Sequence, residues 1–179
     1  MAVLLAVQAA PGRAAEDLSV EAERRGERID VQARALITAP AAVVWEVLTD
    51  YEHLPRFIPG IAKSVVRSRD GGRLLVEQSG EARFLFFSFP IEVQLEVTEW
   101  PPRSISSRAV AGNVRRMTGR YEIQPDADRG TVLLRYLGEI EPDFELPPLI
   151  GVAALRRTAA EQFTAMVAEI ERRAAEIAK

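Results

Sequence analysis

From about Leu149 to the last residue, apolar side chains recur at helical spacing. Val152, Leu155, Ala159, Phe163, Met166, Ile170 and Ile177 share one stripe, while Arg156, Glu161, Glu169, Arg172 and Arg173 lie mostly elsewhere. At 1.5 Å per residue, a helix of roughly 29 residues extends over about 40 Å. A stripe of that length needs a broad apolar partner, which the rest of the chain has to supply.

The preceding residues supply it as strands. Ile29, Val31, Ala33, Ala35 and Ile37 alternate with Asp30, Gln32 and Arg34, the period-two pattern of a strand with one wet face. Thr38–Pro40 marks a helix start, and Val43, Val44, Val47, Leu48 and Tyr51 follow at helical spacing. A second short helix or turn, His53 to Phe57, ends at Pro59-Gly60. Strands are then expected over Ile61–Arg69, Arg73–Phe84, Ile91–Val97, Ser104–Val110, Met117–Ile123 and Val132–Ile140, with a hairpin signal at Asp70-Gly71-Gly72. The acidic, proline-rich stretch Glu139 to Pro148 is expected to end the sheet and to form a solvated loop. Short turns with no helices between them predict an antiparallel meander. The fold class is therefore α+β: a curved antiparallel sheet of about six or seven strands wrapped around a long C-terminal helix, with two short helices after the first strand.

At 179 residues the chain suits one domain, placed here at 26–179. Residues 1–25 are set apart, because the apolar run Ala2–Ala10 followed by Gly12 and Ala14 has the character of a truncated signal peptide or a frayed end. On that basis the expected compartment is periplasmic or extracellular, with the cytoplasm as the alternative. A net charge of -3 argues against a nucleic-acid partner. The sequence has no cysteine, one histidine and no phosphate-loop, dinucleotide or nucleophile-elbow motif, so neither a cofactor nor a metal is expected.

The segment Ala39-Pro40-Ala41-Ala42-Val43-Val44-Trp45-Glu46-Val47-Leu48-Thr49-Asp50-Tyr51, with Leu54, Phe57, Ile58-Pro59 and Ile61, resembles the opening motif of the polyketide cyclase/dehydrase and lipid-transport group. That group includes START-like coenzyme Q-binding proteins within the birch-pollen-allergen-like superfamily. A second stretch, Gly119–Pro125 with Gly130-Thr131, Tyr136 and Pro142–Pro148, is similar to the same group. The resemblance spans about Ile29 to Ile170. It implies the helix-grip fold and a cavity between sheet and helix, and it leaves the guest unspecified.

The residues expected to line that cavity are Phe57, Phe86, Val93, Leu95, Met117, Tyr121, Leu134, Tyr136, Leu155 and Phe163, with access past Phe57, Ile58 and the Phe86 region. Tyr121 and Tyr136 stand out, since two phenols in an apolar cavity can orient a guest by hydrogen bonds. His53 and Asp50 read first as structural residues, and Arg108, Arg115, Arg116 and Arg120 as surface residues of an arginine-biased chain. The aromatic run Phe84–Phe89 exceeds what one buried face accommodates, so a pocket rim or a transient membrane contact is an additional use for it. Three readings stay open: a binder or carrier of a lipid, quinone or polyketide-like molecule; a cofactor-independent cyclase or dehydrase; and an interaction module with a filled cavity. No obligate protein partner is implied.

Overall fold

The computed structural model describes residues 16–84, 87–143 and 148–179. The alternating segments form strands β1 (Glu16–Arg25), β2 (Arg28–Ile37), β3 (Ile61–Asp70), β4 (Arg73–Phe84), β5 (Phe87–Trp100), β6 (Ser104–Gly112), β7 (Val114–Asp126) and β8 (Thr131–Pro142). They make one antiparallel sheet in the order β1-β2-β8-β7-β6-β5-β4-β3. β3 to β8 are a pure meander, and the chain returns to β2 to complete the curve. Period-two alternation sends Ile29, Val31, Ala33, Ala35 and Ile37 of β2 inward, all of them buried.

Between β2 and β3 lie α1 (Ala41–Leu48) and a 3-10 turn, Tyr51–Arg56. Pro40 occupies the cap position of α1, where a missing N–H costs nothing, and its carbonyl accepts from Val43 and Val44. The Thr49 hydroxyl closes the other end by donating to the Trp45 carbonyl at 2.8 Å. Tyr51 fastens the 3-10 turn to the end of β5 by donating to Glu99 Oε1 at 2.9 Å. The terminal helix α2 (Pro148–Ile177) then lies along the concave face. Its second half is the better buried: Phe163, Met166, Val167 and Ile170 join Val44, Val47, Val76, Val132 and Leu134 in one core.

Two expectations change. The sheet has eight strands, because ten residues set aside at the N-terminus form β1, which continues through a Gly26-Glu27 turn into β2. Gly26 adopts φ +68, a conformation that a side chain disfavours and that a tight hairpin requires. Leu18 and Val20 of β1 pack against the core. The acidic stretch after Glu139 also stays in the sheet for longer than its composition suggests. Beyond Ile140, the expected end of the strand, Glu141 pairs with Arg116 and Pro142 ends β8 opposite Val114, a terminal position that tolerates proline. Glu139 and Glu141 occupy the alternate, outward phase and cost the strand nothing.

Candidate functional site

Sheet and helix do not close completely. Between the first half of α2 and the inner face of β2, β4, β5, β7 and β8 lies a partly open, mainly apolar cavity of about 210 Å³. The cavity exists because small residues occupy inward positions: Ala33 on β2, Gly80 on β4, Gly138 on β8 and Ala159 on α2 all border it. An apolar void of about 150 Å³ already admits a benzene-sized guest, whereas drug-sized sites run from about 300 Å³ upward. The space therefore suits a compact ring system or one end of a longer molecule.

Six residues expected at the cavity border it: Val93, Met117, Tyr121, Tyr136, Leu155 and Phe163. Of the other four, Leu95, Leu134 and Phe57 do not. Leu95 and Leu134 point inward but lie where the helix packs down, and both are buried in the core. Phe57 packs against the core edge with the Arg173 guanidinium 5.7 Å from its ring centre. Phe86 lies outside the described residues, as do the side chains of residues 82–89, and with them the aromatic run. The sequence reading missed Ile61, Ile91, Ile140, Gln162 and the small residues. Small residues on an inward strand phase leave space, but the sequence does not report which side chains lie above them.

Tyr121 and Tyr136 are direct cross-strand partners on β7 and β8, their ring centres 4.8 Å apart and their planes tilted by 44°. Burial raises the phenol pKa of both, and at Tyr121 the neighbouring Tyr136 adds to the rise. Both therefore stay protonated and act as donors at physiological pH. Neither hydroxyl has a hydrogen-bond partner among the described residues. Other polar lining groups are occupied: Gln78 Nε2 donates to Ser64 Oγ at 3.2 Å, and Gln162 Nε2 to the Pro59 carbonyl at 3.1 Å. Ser79, Glu81, Thr118 and Glu139 border the space from the outward phase of their strands. Consistent with that phase, the Glu139 carboxylate lies 3.6 Å from the Arg28 guanidinium, outside the cavity.

The remaining candidates sit elsewhere. His53 Nδ1 lies 2.6 Å from Asp50 Oδ1 at the exposed end of the 3-10 turn, away from the cavity. Asp50 also accepts from Arg173 at 2.7 Å; burial alone would raise its carboxyl pKa, but the Arg173 and His53 hydrogen bonds outweigh that and lower it. Arg108, Arg115 and Arg120 pair with Glu96, Asp143 and Glu122 on exposed surfaces, and Arg116 is exposed. None of these arginines borders the cavity.

Residues 28–175 match the family model described as polyketide cyclase / dehydrase and lipid transport. Among solved structures, the chain is similar to the ZhuI aromatase/cyclase from Streptomyces sp. R1128, at 20% identity and TM-score 0.69 over 82% of this chain and 95% of that one. It is similar also to a START superfamily protein from Mycobacterium smegmatis, at 18% identity and TM-score 0.64 over 83% and 98% of the two chains. A third likeness is to a STAR-related lipid transfer protein from Xanthomonas axonopodis, at 15% identity and TM-score 0.63 over 87% and 99%. At these identities the likeness is one of fold. No curated protein matches by sequence.

Proposed function

Since the chain belongs to the polyketide cyclase/dehydrase and lipid transport family, we propose that it binds an apolar small molecule in the cavity beneath the first half of α2. The observation that carries this reading is an apolar space of about 210 Å³ left open in an otherwise packed core, with two phenol donors on its wall that have no hydrogen-bond partner among the described residues. Packed interiors seldom keep such voids. Affinity would come from apolar area leaving water, at about 25 cal/mol per Å².

Filling the cavity tests the proposal. Ala159→Phe puts a ring into the space from α2. It should reduce binding of the neutral dye Nile red by at least about tenfold while leaving the thermal midpoint unchanged or raised, because the ring replaces a void. Dye binding equal to that of the natural chain would place the guest elsewhere and overturn the reading. Native mass spectrometry of the purified protein reports the same site without a probe: a co-purifying apolar compound, lost in the filled variant, is the expected result.

The two phenols, unpartnered among the described residues, also favour a second reading, of the aromatase/cyclase kind, in which they donate to a carbonyl of a reacting chain. Incubation with a short poly-β-keto thioester separates the two. Tyrosine-dependent appearance of a cyclised product supports an enzyme, and recovery of the thioester unchanged supports a binder.

A further inference from the structure

The pose of Tyr136 depends on side chains that are absent. Gly119 and Gly138 face each other across β7 and β8, two residues along from the Tyr121–Tyr136 pair and on the same face. A methyl group on Gly138 would lie 2.6 Å from the Tyr136 hydroxyl and 2.8 Å from its ring. One on Gly119 would lie 3.1 Å from the same hydroxyl. The phenol therefore lies flat along the sheet, over a cross-strand pair of glycines. With any larger residue there, the ring would be driven up into the cavity. The glycines thus keep the space open and hold the donor at its wall.

The charge of the wall is equally specific. Among the described lining residues there is no arginine, lysine or histidine. The two acidic ones border the cavity from the outward phase, and the inward polar groups are phenols, amides and a threonine. Among these residues an anionic guest would find no counter-charge, and two phenol hydrogen bonds alone would have to offset the loss of a carboxylate's hydration, which is costly. A guest with a neutral acceptor gives each phenol a hydrogen-bond partner that none of the described residues supplies, in a space where such a bond is shielded from water.

From these two features we infer that the Tyr121–Tyr136 pair, with Tyr136 laid down on Gly119 and Gly138, selects neutral apolar guests bearing a carbonyl-type oxygen and rejects carboxylates of the same shape. This rests on the binding function proposed above and specifies its ligand class. Burial, which keeps both phenols protonated, supports the donor role.

Three probes with one apolar body test it: acetonaphthone, naphthoate and ethylnaphthalene, titrated at neutral pH against the natural chain and against Tyr121→Phe, Tyr136→Phe and the double variant. Tyrosine-to-phenylalanine changes keep the rings and the packing. The ketone should bind at least about tenfold more tightly than the carboxylate. Each single variant should cost it about three- to tenfold and leave the hydrocarbon within about twofold. Gly138→Ala, which displaces the Tyr136 ring, should weaken the ketone at least as much as Tyr136→Phe. A carboxylate that binds as well as the ketone overturns the inference while leaving the cavity as a binding site. So does a ketone-to-hydrocarbon ratio unchanged in the double variant. Failure of all three probes to bind the natural chain overturns the binding function itself.

Discussion

Arg173 joins three elements of the fold, a role that sequence reasoning did not assign to it. Its guanidinium reaches Glu169 at 2.7 Å, Asp50 at 2.7 Å and Glu46 at 3.2 Å, and it lies over the ring of Phe57. One side chain thereby joins α2 to α1 and to the turn that follows it. Arg173→Ala should destabilise the fold by roughly 1–3 kcal/mol, because it leaves partly buried carboxylates without their partner; urea denaturation measures this. The same cluster fixes the acid limb of stability. Hydrogen bonds from Arg172, and then Arg173, outweigh burial and hold Glu169 down to about 2 against an ordinary 4.5, and Asp50 is lowered as well. A depressed carboxylate contributes stability that is present above its unfolded pKa and lost as pH falls through the folded one. Stability should thus fall between about pH 4.5 and pH 2, with a shallower slope in Arg173→Ala. Hydropathy sorts arginines onto wet faces and cannot see a cationic hub at the margin of an apolar stripe. Tyr121 and Tyr136 were legible because strand phase and chemistry coincide there; Gly119 and Gly138 were not, since a glycine in a strand shows nothing of the ring lying above it.

At the scale of elements, the meander and the long helix were legible because periods of two and 3.6 persisted over enough residues to be distinguished. The edges were less so. β1 was hidden because it was grouped with an apolar segment that has the character of a leader, although Leu18, Val20 and Ala22 alternate with Ser19, Glu21 and Glu23 as a half-wet strand does. Its contribution can be measured. Val20→Asp places a charge against the core and should cost roughly 2 kcal/mol or more, whereas Glu21→Asp, on the opposite phase, should be neutral within about 0.5 kcal/mol. Equal effects from both would mean that β1 adds little to the folded state. The extension of β8 beyond Glu139 carries the same lesson: charged side chains end a strand only when they fall on its buried phase.

At the scale of the whole molecule, the grip of sheet on helix followed from pattern alone, while the volume between them did not. Closure depends on individual side-chain sizes at facing positions, and sequence spacing does not report which positions face each other. The helix itself divides at Phe163. Beyond it, buried residues and the Arg173 cluster clamp α2 to the core; before it, the helix lies over the cavity, with Leu18 and Val20 of β1 facing Ala153, Arg156 and Ala160 across a shallow groove. Clamped through its second half and bridging a hollow with its first, α2 has the mechanics of an unevenly supported beam. Amide protons between residues 152 and 160 should therefore exchange with solvent faster than those between 165 and 173, and a guest in the hollow should narrow the difference by supporting the span above it. Uniform protection along all 30 residues would mean a beam supported throughout, and guests would then have to come and go by another wall.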